Sequence, residues 1–515
     1  MGSNNRSGYS MLEKYVKKIL ASRVYDVAVE TPLQEAKALS QRIGHTVLLK
    51  REDHQAVFSF KIRGAYNKMA QLSKEELGRG VIAASAGNHA QGVALAARTL
   101  NASAHIVMGR NAPLIKIEAV KELGAHVILH GDSYDEALLH AQALQKKHGY
   151  VYVHPFDDPD VIAGQGTIGM ELLNQRGDLD AIFVPVGGGG LIAGIAAYIK
   201  YLKPYIKVIG VEAEGSACFY AAKKANRRVR LPHETLDLFA DGISVAQVGK
   251  HTFKIAKQYV DETLTVSTDE ICAAVKDIFD DTRSIAEPSG AVAIAGLKKY
   301  AESMDDTTPQ VFAAILSGAN VNFDRLRHIA ERAEVGEHRE LILAVQIPEK
   351  PGSFLKFCKA VGKRSITEFN YRYSDTEQAR LYVGIQIQSP QAGNDLLQRL
   401  QSAGYPLEDM TDNEVAKLHV RHMVGGKGPV GQNELLYRFE FPERPGALAN
   451  FLTQLGSDWN ISLFHYRNHG AAFGRVLVAF QASEKDRKRL TGYLVRIGYR
   501  FNEETGNSAY GAFLS

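Results

Sequence analysis

Cysteine is scarce in this chain. The three present, Cys218, Cys272 and Cys358, lie far apart and form no Cys-x-x-Cys pair, which excludes a disulfide framework and a thiolate zinc site and fits a reducing compartment. An excess of charge of one sign is also missing. Lys and Arg number 61 against 57 Asp and Glu, a net +4 over 515 residues, so there is no electrostatic footprint for nucleic acid or an anionic membrane. No apolar run reaches the roughly 20 residues of a membrane-spanning helix. The start, Met1-Gly2-Ser3-Asn4-Asn5-Arg6, has no signal-peptide core, and Arg6 stands where a myristoylation site takes Ser or Thr. A cytoplasmic protein is the expectation. HExxH, GxSxG and EF-hand spacings do not occur, which sets aside metalloproteases and serine hydrolases.

What remains is ordinary globular material, 45% hydrophobic and 23% charged, long enough for two to four domains. Between about 45 and 330, apolar strand-like runs (46–50, 81–85, 104–109, 126–129, 150–153, 181–186, 207–212 and 310–316) alternate with helical patterns at 114–123, 133–147 and 191–202. Strands apolar on both faces predict a parallel sheet covered by helices, a doubly wound α/β architecture. Ser133 before Asp135 and Glu136 suits a helix start. After 335 the style changes to alternating strands with an internal repeat. Pro348-Glu349-Lys350-Pro351-Gly352 aligns with Pro442-Glu443-Arg444-Pro445-Gly446 at a shift of 94 residues, and Tyr371-Arg372 with Tyr466-Arg467 at a shift of 95. A duplication of about 80 residues follows, and the expected domains are 1–335, 338–412 and 433–506.

Four motifs carry chemistry. Gly187, Gly188, Gly189, Gly190 and Leu191 follow an apolar strand and open a helix; successive glycines let backbone N–H groups converge where the helix dipole is positive, so a phosphate is the expected guest. Gly188, Gly190 and Ala193 satisfy the dinucleotide fingerprint, with Glu212 19 residues on, but Gly164, Gly166 and Gly169 match it too. A nicotinamide-dependent oxidoreductase therefore stays open at this point, whereas a P-loop is excluded because no Gly-Lys-Ser/Thr follows. Lys61, between Phe60 and Gly64, is either a solvated surface charge or an amine desolvated for Schiff-base chemistry. Ser85, Ala86, Gly87, Asn88 and His89 end a strand and begin a helix, exposing amides that suit a carboxylate, with Asn88 either a cap or a ligand donor. Ser317, in Leu316-Ser317-Gly318-Ala319-Asn320, lies past another strand, as a cap or at the edge where doubly wound sheets bind ligands.

In this order the motifs resemble the pyridoxal-phosphate enzymes of the tryptophan-synthase-β type, and within them the serine/threonine dehydratases. The duplicated tail resembles paired ACT-like α+β regulatory domains, and a chain joining both is identified as a member of the biosynthetic threonine deaminases. That resemblance implies pyridoxal 5'-phosphate held by Lys61. Gly187–Gly190 and Leu191 would bind its phosphate, Asn88 would face its ring oxygen and Ser317 its ring nitrogen, and Ser85–His89 would hold the substrate carboxylate. A serine hydroxyl does not keep the ring nitrogen protonated as a carboxylate would, which favours β-elimination over long-lived carbanions. It further implies L-threonine as substrate, with L-serine-preferring chemistry a second option, and 2-oxobutanoate and ammonia as products. L-isoleucine is the implied inhibitor, with L-valine a second candidate effector, on a homotetramer. Gly352, Gly446, Tyr371 and Tyr466 become candidates for the effector site, or for turns and core. Some relatives hold a divalent metal after the strand at 207–212; here Cys218 replaces the second acid, and no metal is expected. Glu287 has a substrate-side or a structural role, and a catalytically silent sensor is a third option.

Overall fold

The computed structural model describes residues 3–507 except 111, 132, 233–235, 305–307, 324, 337–338, 373–376, 414–415, 417–433, 443–446, 456–458 and 468–472. Contacts divide the chain into two compact units, Met1–Ala333 and Glu334–Ser515.

The first unit opens with α1 (Ser3–Leu20), β1 (Leu33–Glu35), α2 (Lys37–Ile43) and β2 (Thr46–Arg51). There follow α3 (Lys61–Ala70), α4 (Lys74–Arg79), β3 (Val81–Ala84), α5 (Asn88–Thr99), β4 (Ala104–Met108), α6 (Leu114–Glu122), β5 (His126–Leu129), α7 (Tyr134–His148) and β6 (Val151–Tyr152). The unit continues through α8 (Pro159–Gln175), β7 (Ala181–Pro185), α9 (Gly190–Leu202), β8 (Lys207–Ala213), α10 (Cys218–Ala225), α11 (Lys250–Tyr259) and β9 (Glu262–Val266). Last come α12 (Thr268–Thr282), α13 (Pro288–Glu302), β10 (Val311–Leu316) and the helix α14 (Arg325–Gly336). The parallel α/β architecture of the alternating pattern is present, but over two sheets. One has the order β1-β2-β10-β7-β8-β9, with only β1 antiparallel, and the other the order β5-β4-β3-β6.

Double-sided burial explains the apolar runs. Along β10, Phe312, Ala314 and Leu316 enter one core and Ala313 and Ile315 the other, as the two-residue period of a strand requires. Ser133 and Glu136 close a capping box at the start of α7. The second glycine fingerprint proves to be helix packing rather than ligand binding. A Cβ on Gly194 of α9 would lie 2.4 Å from the Ile162 carbonyl oxygen and 2.7 Å from the Gly166 nitrogen of α8, so these helices meet backbone to backbone.

Behind α3 lies a buried ion network. Arg63 pairs with Glu52 at 2.8 Å and with Glu171 at 2.5 Å, and Lys50 pairs with Glu171 at 2.6 Å. Two cations and two anions, each no more than 1% exposed, balance one another while tying β2, α3 and α8 together.

The second unit repeats one pattern. Its first half is β11 (Glu340–Pro348), α15 (Ser353–Val361), β12 (Ile366–Arg372), β13 (Gln378–Gln386), α16 (Pro390–Ser402) and β14 (Leu407–Asp409). Its second is β15 (Glu434–Pro442), α17 (Ala447–Leu455), β16 (Ile461–Arg467), β17 (Phe473–Gln481), α18 (Arg487–Ile497) and β18 (Arg500–Glu503). The halves share one antiparallel sheet in the order β14-β11-β13-β12-β16-β17-β15-β18, which reads the same from either end once each strand is exchanged for its duplicate. At the seam Asn370 pairs with His465, flanked by Phe369 with Tyr466 and Tyr371 with Phe464. A shift of 95 maps each of these pairs onto itself or its neighbour, so the repeat detected in sequence is a local two-fold in space.

The ion network sets one test. Glu171→Ala strands Lys50 and half of the Arg63 guanidinium in the interior, and is expected to lower stability by about 3–5 kcal/mol, measured by denaturant unfolding of the full chain. A loss below about 1 kcal/mol would show the network to be dispensable.

Candidate active site

Three segments converge beyond the C-terminal ends of parallel strands, 57–61 after β2, 85–89 after β3 and 317–320 after β10, and a fourth, 187–191, follows β7. Phe60 N donates to Ser317 O at 3.3 Å, Ala319 N to Phe58 O at 2.9 Å, and Ser59 forms an isolated antiparallel bridge with Gly318. Phe58 adopts a φ of +53° to turn the chain here. Gly318 has to be glycine, because a Cβ would fall 2.4 Å from Glu287 Oε1 and 3.1 Å from Phe58 O.

Lys61 is the first residue of α3. Burial draws its pKa down to about 8 despite the opposing charge of Glu287. Its Nζ lies 5.1 Å from the centre of the Phe60 ring, and no hydrogen-bond or ion-pair partner is found for it among the described residues. An amine with lowered proton affinity and no fixed partner is what covalent attachment to an aldehyde requires. Ser59 beside it is fully buried with its hydroxyl unpartnered.

Asn88 does not cap its helix. Gly87 is the N-cap and no side chain caps α5; the Asn88 amide instead donates to Glu287 Oε1 at 2.6 Å and accepts from Asn320 Nδ2 at 2.7 Å. Glu287, 4% exposed, is pushed up to about 7 by burial and by Asp241, against the pull of Asn88, Lys116 and Lys61. Ser317 caps no helix either: its hydroxyl is buried and donates to Ser289 O at 3.3 Å. In the 85–89 segment, Ser85 Oγ accepts from Gly87 N at 3.3 Å. His89 is buried with Nε2 2.8 Å from Val153 O, and burial followed by the charge of Lys61 drives its pKa down to about 3. It is thus a neutral imidazole donating through Nε2, and offers a carboxylate its backbone N–H rather than a charge.

The tetraglycine turn is held from behind. Thr252 Oγ1 and Gly249 N donate to Gly188 O at 2.7 and 3.1 Å, turning that carbonyl away from the mouth of the turn. Gly189 has φ +90° and caps α9 with no side chain, leaving the first N–H groups of the helix for a ligand. A Cβ on Gly188 would lie 2.2 Å from the Phe156 ring, and on Gly187 2.8 Å from Ile243 O. Asp157, next to Phe156, caps α11 through Lys250 and His251 N–H groups at 2.8 and 2.7 Å. Phe156 and Thr252 carry no motif and were invisible to sequence reasoning. The donor set, an anion nest without side chains, an amine with no partner among the described residues and a polar amide, fits pyridoxal phosphate.

The nicotinamide alternative fails at Glu212. That carboxylate is buried, accepts from Phe219 N at 2.8 Å and Tyr220 N at 2.6 Å at the start of α10, and is pushed up to about 8 by desolvation; it is not available to a ribose. Cys218 is buried with Sγ 3.6 Å from Gly187 O. In the second unit, Gly352 has φ +84° and precedes α15, and Tyr371 and Tyr466 lie in the core. The Tyr371 hydroxyl reaches Glu349. Gly446 lies outside the described residues.

Comparison with known proteins agrees with this geometry. Residues 24–318 match the family of pyridoxal-phosphate dependent enzymes. Residues 331–420 and 426–514 match the C-terminal regulatory domain of threonine dehydratase. The chain is 52% identical over 505 residues to the biosynthetic L-threonine dehydratase of Burkholderia multivorans, covering 97% of this chain and 99% of that protein. It is 51% identical to that of Escherichia coli strain K12, covering 98% and 97%. The solved processed form of threonine deaminase isoform 2 from Solanum lycopersicum aligns at 51% identity and a TM-score of 0.61, covering 63% of this chain and 94% of that one. Maize serine racemase aligns at 32% identity and a TM-score of 0.58, covering 63% and 98%. A lysine without a partner among the described residues, a glycine nest, a duplicated regulatory unit later in the sequence and identity along almost the full length lead to one conclusion: the chain belongs to the pyridoxal-phosphate-dependent biosynthetic L-threonine dehydratases.

Proposed function

We propose that this chain converts L-threonine to 2-oxobutanoate and ammonia, the entry step to isoleucine, with L-serine as a second substrate of the same chemistry. The observation that carries this reading is the Lys61 amine, drawn to about 8 and left without a partner among the described residues.

When bound, pyridoxal phosphate supplies an electron sink that acidifies the α-carbon of an amino acid joined to it. The chain's part is binding, orientation and proton transfer. The N–H groups of Gly187–Gly190 and Leu191 would hold the phosphate, Asn88 would donate to the ring oxygen, and the Ser317 hydroxyl would serve the ring nitrogen. The amides of Ser85, Ala86, Gly87, Asn88 and His89 receive the substrate carboxylate. Lys61 would hold the cofactor, and its amine would take the α-proton of the substrate as general base, a task suited to an amine whose pKa lies near working pH. Water is lost from threonine and regained on hydrolysis, so the net change is release of ammonia.

The same reading makes the second unit an isoleucine sensor, with L-valine as the competing ligand. In support, a cleft where the two halves meet is lined by Glu349, Gly352, Phe354, Leu452, Trp459 and Asn460. A carboxylate for an ammonium beside apolar walls for a branched side chain suits an aliphatic amino acid. Gly352 lines this cleft and Tyr371 reaches its Glu349; Tyr466 and Gly446 stay candidates by the internal repeat, Gly446 lying outside the described residues. The working form is a cytoplasmic homotetramer; no helix among the described residues is long and apolar enough to cross a membrane.

Three outcomes are expected. Borohydride treatment of the loaded enzyme labels Lys61 and bleaches the visible band; Lys61→Ala takes up no label and loses turnover by at least about 1,000-fold. A label on another lysine refutes the assignment. Glu287 ionises only with difficulty when buried, so folding is progressively disfavoured as pH rises from the ordinary value of 4.5 to about 7 and the cost is constant above that. Glu287→Gln should therefore be as stable as the parent near pH 4 and more stable above pH 7, read by denaturant unfolding of the apoprotein; a parallel pH dependence in both would contradict it. Finally, Glu349→Gln should raise the isoleucine concentration needed for half-inhibition by about tenfold or more, the value of one charged hydrogen bond. An unchanged inhibition curve would move the effector elsewhere.

A further inference from the structure

Asn320 is absent from the roles assigned above, yet it connects two of the converging segments. Its Nδ2 lies 2.8 Å from Val57 O and 2.7 Å from Asn88 Oδ1. A main-chain carbonyl only accepts, so the atom of Asn320 facing Val57 has to be the nitrogen. The second N–H of that amide then needs an acceptor, which fixes Oδ1 as the atom Asn88 presents. Asn88 is thereby turned with Nδ2 2.6 Å from Glu287 Oε1, and one N–H of that amide is left over. Every orientation in the chain Val57–Asn320–Asn88–Glu287 follows from the one before it, beginning at a backbone atom. In the opposite orientation Asn88 would direct a carbonyl oxygen at the Glu287 carboxylate and at any anionic ring oxygen nearby.

We propose that Asn320 is a positioning residue for the dehydration: anchored on Val57, it locks the Asn88 amide so that an N–H, and not a carbonyl, faces the ring oxygen of the cofactor. The inference rests on the reading that Asn88 meets that oxygen. Val57 is buried and lies four residues before Lys61, so one side chain sets the ring-oxygen donor relative to the segment that carries the amine. A donor at this position favours the ionised ring oxygen, the form that absorbs in the visible, and strengthens cofactor binding.

The test compares holoenzymes of the full chain: parent, Asn320→Asp, Asn88→Ala and the double variant. Asn320→Asp keeps the shape but has no N–H for either Val57 or Asn88. The readouts are the absorption spectrum without substrate between pH 6 and 9 and the dissociation constant of pyridoxal phosphate from the apoprotein. Asn320→Asp is expected to move absorption at neutral pH from the visible towards the near ultraviolet and to weaken cofactor binding about tenfold. Asn88→Ala should do the same, and the double variant should be no worse than Asn88→Ala alone, because both act through one hydrogen bond. If Asn88→Ala changes the spectrum and Asn320→Asp leaves it as in the parent, the inference is overturned while the role of Asn88 stands. Additive effects in the double variant overturn it too. If Asn88→Ala leaves the spectrum unchanged, the role of Asn88 falls and this inference with it. Asn320→Ser is read by the same criteria should Asn320→Asp yield no folded protein.

Discussion

A desolvated amine with no counter-ion among the described residues is the constraint around which the first unit is organised. Desolvation alone draws Lys61 towards neutrality, and that works only if no uncompensated anion lies close enough to restore its charge. The ion network next to it meets this condition: two cations and two anions cancel two residues from Lys61, at Arg63. Glu287, the carboxylate whose charge does reach the amine, is itself drawn towards its neutral form by burial. Acid and amine have thus been brought close in proton affinity by the same low-dielectric surroundings, which leaves the proton inventory of the site responsive near neutral pH.

The glycine turn solves a complementary problem. A nest of backbone N–H groups can attract an anion without a cationic side chain, whose positive charge would alter the titration of a nearby amine. Backbone N–H groups and the helix dipole supply the attraction diffusely, and the scaffolding is placed on the far side, where Thr252, Gly249 and Phe156 grip the turn.

How much of this was legible in sequence depended on whether a function needs a local pattern. The glycine run, the Lys61 segment and the alternation of strands and helices are local, because close backbone approach and two-sided burial leave contiguous signatures. The duplication was visible because both copies kept the same Pro-Glu-basic-Pro-Gly sequence. Partners brought in by tertiary folding left no such trace: Thr252 reaches the glycine turn from 64 residues away and Glu287 reaches Asn88 from 199. Local logic also left choices open that only the fold closes. Asn88 and Ser317 stand where capping residues are common, yet their side chains turn to Glu287 and Ser289, and a glycine fingerprint at 164–169 marks contact between two helices. The short β1 was missed because it is a three-residue edge strand, and β9 because it is only half-buried for most of its length.

The eight-stranded sheet of the second unit ends on β14 and β18, strands of three and four residues with the sequences Leu-Glu-Asp and Arg-Phe-Asn-Glu. Brief, charged margins make poor templates for an incoming strand, and they cover the middle of the long strands inside them, Leu343–Val345 of β11 and Tyr437–Glu440 of β15. Growth of this sheet by strand addition is therefore blocked at each rim, and any meeting of two such units is steered towards their broad surfaces, which keeps a repeat-built β structure from polymerising along its own hydrogen-bond direction.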